Sequence, residues 1–172
     1  LPVYSSLDTD NGSSQPIYIK YRQTYLDTAG GGKLLNWKYY PLEEYQHIKE
    51  VSDLQYINVN LAISYKISPF LNLNVKYRYQ REQVSGSTLS DENSFFTRDL
   101  INNYSQLNRN TGVVSYNVPL GDILDLSNSN RNTHNVRSTL NFDRALGSGK
   151  LIALIGSEIS ESVSESQSNR VY

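Results

Sequence analysis

Gly147-Ser148-Gly149-Lys150 comes nearest to a catalytic signature in this chain. A glycine-rich loop followed by lysine can cradle phosphates on its backbone N–H groups. The full pattern needs glycine at position 144 and serine or threonine after the lysine. Arg144 and Leu151 stand there instead, so the stretch is expected to be a hairpin turn. Asp8-Thr9-Asp10-Asn11-Gly12 resembles the opening of a calcium loop, but its glycine falls one place early and no glutamate closes it. His47 and His134 lie in separate segments with no local partner motif, and both are expected at a surface or rim. Glu158, Glu161 and Glu165 are spaced as a solvated edge, not as a two-carboxylate site. Asn11-Gly12-Ser13 and Asn103-Tyr104-Ser105 fit the glycosylation sequon, which carries no meaning for a bacterial protein. No catalytic residue, metal ligand or cofactor is expected, and the chain is expected not to be an enzyme.

Composition narrows the classes further. With no cysteine among 172 residues, disulfides, thiolate zinc sites and thiol catalysis are all removed. A net charge of −1, without a basic cluster, excludes an electrostatic nucleic-acid binder. No run of 18 or so apolar residues exists to form a transmembrane helix; strands that span as barrels need none. Fourteen tyrosines against four phenylalanines and one tryptophan suit boundaries between water and an apolar phase, where a phenol serves both sides.

The elements that would position any functional group are most legible over residues 57–79. Ile57, Val59, Leu61, Ile63, Tyr65, Ile67, then Leu71, Leu73, Val75, Tyr77 and Tyr79 occupy every second position. Asn58, Asn60, Ala62, Ser64, Lys66, then Asn72, Asn74, Lys76 and Arg78 lie between them, with a break at Ser68-Pro69-Phe70. Period-two alternation predicts a hairpin with one apolar and one polar face. Leaving eleven such side chains in water would forfeit on the order of 20 kcal/mol, more than the roughly 5–15 kcal/mol by which a domain is stable. Lipid or a second sheet must cover that face, while the lysines and arginine of the other need water. The arms are long for soluble strands of about 5–6 residues. Aromatics at both ends, Tyr65 and Phe70 then Tyr77 and Tyr79, suit the girdles of an outer-membrane barrel.

Elsewhere, residues 17–25 (IYIKYRQTY) alternate as a strand, and residues 34–45 are aromatic and irregular after Gly30-Gly31-Gly32. Residues 95–104 suggest a short helix, residues 112–119 a β-like piece, and the asparagine-rich residues 128–135 a loop. A second hairpin follows: Val136, Leu140 and Phe142 alternate with Arg137, Thr139, Asn141 and Asp143, turn over 144–149, and return over 150–162. Short turns at one end and long excursions at the other are a barrel's asymmetry; structureless loops this long are uncommon in soluble domains. The expected organisation is therefore an extracellular loop region with short strands over 1–53, a membrane hairpin over 54–82, an extracellular loop over 83–130, a second membrane hairpin over 131–162, and the start of another extracellular loop over 163–172. Leu1 is no initiator methionine, and residues 160–170 (SESVSESQSNR) are too polar for a barrel's closing strand, so a piece of something larger is expected.

Several stretches together resemble one family, the SusC/RagA-type TonB-dependent outer-membrane transporters. They are residues 21–27 (YRQTYLD), 34–43 (LLNWKYYPLE), 63–77 (ISYKISPFLNLNVKY), 118–128 (VPLGDILDLSN) and 135–158 (NVRSTLNFDRALGSGKLIALIGSE). They occur in the family's order and cover most of the chain. The resemblance implies an all-β fold, a fragment of a large transmembrane antiparallel barrel of about 22 strands, of which this chain would supply roughly four spanning strands. It also implies a bacterial outer-membrane location and import of glycans, oligosaccharides or peptides under a SusD-like surface lipoprotein lid. Import would be driven by the TonB complex through parts not recognisable here. Lys66, Lys76, Arg78, Arg137 and Asn141 would face the lumen. Ile57, Val59, Leu61, Ile63, Leu71, Leu73 and Val75 would face membrane lipid. Trp37, Tyr39 and Tyr40 would contact substrate or lid, or pack within their loop. Two other architectures fit the alternation: a soluble or surface β-sandwich that binds carbohydrate, and a small complete outer-membrane barrel with a structural or adhesin role.

Overall fold

The alternation at residues 57–79 is realised as two strands much longer than the alternation itself. In a computed structural model, which describes residues 6–8 and 12–172, β1 spans Ile48–Ser68 and β2 spans Leu71–Ser90. Pro69 and Phe70 alone form the turn between them. β5 (Ile123–Leu146) and β6 (Gly149–Val171) make the second hairpin across Gly147-Ser148. Gly147 at φ +60 supplies the positive φ that a two-residue hairpin turn needs at its first position. Between the hairpins lie α3 (Phe95–Tyr104), β3 (Ser105–Leu107) and β4 (Val114–Tyr116), and before them α1 (Gln23–Thr28) and α2 (Glu44–His47). The long strands form an open antiparallel sheet in the order β1-β2-β5-β6, while β3 and β4 pair separately.

Two units divide these elements. The strand unit holds Ser52–Ser85 and Ser127–Gln167, and the loop unit holds the rest, with Gly86–Leu126 at its centre. Among the described residues, the loop unit contains the only buried apolar side chains, Ile101 and Ile123. Its organiser is α3. Ser94 caps the helix by accepting from the Thr97 N–H at 3.1 Å, and the Glu44 carboxylate accepts from the Phe95 N–H at 2.9 Å. A carboxylate here also meets the positive end of the helix dipole. One turn apart on α3, Arg98 and Asn102 clasp the extended segment 35–38. Asn102 both accepts from the Leu35 N–H (2.9 Å) and donates to its carbonyl (2.8 Å), and Arg98 donates to the carbonyls of Asn36 and Lys38. Burial lowers the Arg98 pKa from its usual value, with Glu44 opposing.

Several local expectations need correction. Residues 17–25 form no strand beyond a bridge from Ile17 to Tyr39. Instead α1 begins at Gln23, and Tyr21 and Tyr25, four apart, both pack on Trp37. Residues 128–135 are strand, not loop, because their side chains pair across the sheet: Asn128 with Ser85, Asn132 with Tyr79 and Asn135 with Glu158. Residues 163–171 likewise continue β6 despite their polarity, and β2 and β5 reach to Ser90 and back to Ile123. Backbone ladder bonds and small serines carry these ends, so no apolar pattern marks them. Thr9, Asp10 and Asn11, which hold most of the calcium-like stretch and one sequon, lie outside the described residues.

Candidate functional site

Cross-strand contacts fix which side chains share a face of the strand unit. Tyr77 meets His134, Tyr79 meets Asn132 and Ser85 meets Asn128, while Ser64 meets Asn74. On the far side, Thr133 meets Ser162, Asn135 meets Glu158 and Asp143 meets Lys150. Each pairing steps backward on one strand as it steps forward on the next, the signature of antiparallel register. Directly opposed residues share a face, so even positions of β1, β2 and β6 lie with odd positions of β5. Lys66, Lys76, Arg78, Arg137 and Asn141 therefore share one face. Ile57, Val59, Leu61, Ile63, Leu71, Leu73 and Val75 share the other, with Val136, Leu140, Phe142, Leu151 and Ile155.

The apolar face is a continuous band across all four strands. Ile57 is 51% exposed, Leu61 59%, Ile63 69% and Ile155 73%; Leu71, Leu73 and Val75, on an inner strand, are half-buried. No described residue of the strand unit is buried. Rings close the band at both ends. Phe70 and Phe142 meet edge-on at 5.6 Å. Tyr77 and Tyr79 pack on the His134 ring, and the Tyr77 hydroxyl lies 2.8 Å from its Nδ1.

The polar face carries a depression of about 560 Å³ whose lining includes Asn60, Lys76, Arg78, Asn135, Arg137 and Glu158. Glu158 is engaged by the Asn135 amide at 2.8 Å. The side chains of Lys66, Lys76, Arg78 and Arg137 have no ion pair or hydrogen bond among the described residues. Nearby Lys150, by contrast, pairs with Asp143 at 2.9 Å.

In the loop unit, Trp37 stacks on Tyr21 at 5.3 Å and on Tyr25 at 6.1 Å, and Tyr39 meets Phe95 edge-on at 5.2 Å. Those contacts pack the loop. Tyr40 instead lines a cavity of about 570 Å³ with Glu43, His47, Glu92 and Arg98. The His47 Nδ1 lies 2.8 Å from Asp91, a partnership across 44 residues that no local motif announces. Arg170 forks onto Asp125 at 2.6 and 2.8 Å while its guanidinium covers Phe96. The Asp125 hydrogen bond raises the Arg170 pKa above its usual value. No protein-family model matches the chain, and no curated protein matches it.

Proposed function

We propose that this chain is a segment of an outer-membrane nutrient transporter of the SusC/RagA type, supplying four strands to the wall of its barrel. The observation that carries the reading is the exposed apolar band on a strand unit without a buried residue. From Ile57 to Ile67 the band runs roughly 33 Å along β1 at 3.3 Å per residue. A strand tilted by 40° projects that to about 25 Å, the height of a barrel's lipid-facing belt. A sandwich would bury such a face against a second sheet. β1 and β6, at the two edges of the sheet, offer backbone N–H and C=O groups along more than twenty residues each. Lipid cannot satisfy those groups, so further strands must continue the wall. The polar face then lines a lumen, and the work of the protein is selective passage of glycans, oligosaccharides or peptides beneath a SusD-like lipoprotein lid, powered by the TonB complex.

Fractionation and heat-modifiability test the reading. The full-length protein is expected in the outer-membrane fraction, migrating faster on a denaturing gel when unheated than when boiled. Recovery in the soluble fraction, or mobility indifferent to boiling, overturns it.

A further inference from the structure

Like charges directly opposite one another destabilise a sheet, and the polar face sets up that situation at its centre. The backbone bond from the Asp143 N–H to the Phe70 carbonyl, the Tyr79–His134 ring contact and the Ser85–Asn128 bond share one register of β2 against β5, which places Arg137 opposite Lys76 and Asn135 opposite Arg78. Lys76 and Arg78, two positions apart on one strand, stand roughly 7 Å apart, and Arg137 is about 5 Å across from Lys76 at Cα. Three cations thus converge on one depression. Its only acidic lining residue, Glu158, faces Arg137 in the register that Thr133–Ser162, Ser138–Ser157 and Asp125–Arg170 share, and it accepts from the Asn135 amide without forming an ion pair. None of the three cationic side chains has a partner among the described residues. The sheet satisfies its other close charge pairs: Lys150 has Asp143 and Arg170 has Asp125.

We infer that Lys76, Arg78 and Arg137 form an anion-recognition station for an acidic oligosaccharide, one whose sugars bear carboxylates. The inference rests on the transporter reading for its role and deepens it by naming the substrate class. Two guanidinium forks suit planar carboxylates bidentately, and Lys76 adds a point charge between them. The surroundings favour sugar over peptide. Asn58, Asn60, Asn74 and Asn135 carpet the same face, and each amide offers both donor and acceptor to a hydroxyl. Of the residues lining the depression, small Ala62 is the apolar one of this face; Leu61 and Tyr77, which also border it, belong by parity to the other. Three cations stand against one carboxylate that Asn135 already engages, and bound carboxylates offset the repulsion that remains between Lys76 and Arg137.

Isothermal titration calorimetry on the full-length protein in detergent tests this, with tri-galacturonate, its neutral methyl ester and tri-glutamate as probes. Tri-galacturonate is expected to bind at least tenfold more tightly than the ester, and to weaken as salt rises. Each of K76Q, R78Q and R137Q is expected to cost about tenfold, as loss of one charge-assisted hydrogen bond does. The lysine-for-arginine variants R78K and R137K should keep part of that. Equal binding of the ester, tighter binding of tri-glutamate, unaltered affinity in the glutamine variants, or no binding of tri-galacturonate overturns the inference. The same preparations are checked for heat-modifiable mobility. Mobility retained with the calorimetric contrast absent removes the acidic-sugar station alone, whereas a soluble protein that still discriminates tri-galacturonate removes the transporter reading alone.

Discussion

Replacing Leu61 by arginine, beside the same replacement at Ala62, separates lipid contact from every other reason a residue tolerates change poorly. Leu61 stands near the middle of the band that runs from Ile57 to Ile67, and its side chain is 59% exposed. Four residues, roughly 13 Å along the strand, separate it from Ile57, which at a 40° tilt puts it about 10 Å inside the belt. A guanidinium at that depth costs about 2–4 kcal/mol, on the order of a 100-fold loss in the folded-to-unfolded ratio. Ala62 is one residue further along but on the polar face, where a charge should change stability by about 0.5 kcal/mol or less. Gln55→Arg, beyond the rim of the band, should cost 0–1 kcal/mol, roughly the interfacial value. Equilibrium unfolding in urea, with the barrel folded into phosphatidylcholine vesicles and followed by heat-modifiable mobility, reads all three. A cost that is large at Leu61 and small at both Ala62 and Gln55 fits a bilayer. Equal costs at 61 and 62, or equal costs at 61 and 55, exclude lipid contact at Leu61.

Other expectations concern the loop unit and the turn. Lys20 pairs with Asp99, whose hydrogen bond raises the lysine pKa above the usual 10.5. The pair's contribution is therefore complete below pH 10.5 and is lost as pH rises through the folded-state value. Asp99→Asn should return the Lys20 ammonium to the ordinary titration in a nitrogen-detected NMR experiment, and an unchanged midpoint would dismiss the pair. Asn102→Leu leaves the Leu35 N–H and carbonyl without their partners and should cost about 1–3 kcal/mol; faster hydrogen exchange confined to residues 34–38 and α3 is the readout. Ser94→Ala removes the α3 cap at about 1 kcal/mol, seen as quicker proteolysis within the helix. Gly147→Val forces a β-branched residue to φ +60 and should slow refolding of the second hairpin or lower its stability by about 1–2 kcal/mol, while Ser148→Val should not.

The legible parts of the molecule are those whose cause is local. Ile57 to Val75 announce their strands because a period of two is written in side-chain polarity, and the short helix expected over residues 95–104 forms as α3. Lys66, Lys76, Arg78, Arg137 and Asn141 could be assigned to one face from parity alone, and the cross-strand contacts agree. What the sequence hides is long-range. Nothing near Arg98 or Asn102 says that segment 35–38 will dock on them from more than 60 residues away. Residues 17–25 alternate well enough for a strand, yet Tyr21 and Tyr25 are also spaced to stack on Trp37, and that contact decides. The polar end of β6 becomes strand through its ladder with β5, a partner equally polar over residues 127–135. Opposition of Lys76 and Arg137 emerges only once the register of β2 against β5 is known.

A nitroxide scan over residues 57–67 shows which face of β1 touches lipid, since this cysteine-free chain accepts one spin-labelled cysteine at a time without background. In vesicles, oxygen accessibility should peak at the odd positions, Val59, Leu61 and Ile63 above all, while a water-soluble nickel chelate should reach the even positions Asn58, Asn60 and Ser64. Two opposed oscillations of period two are the predicted result. Odd positions closed to both relaxing agents, as inside a dry protein interior, or open to the nickel chelate, would contradict it.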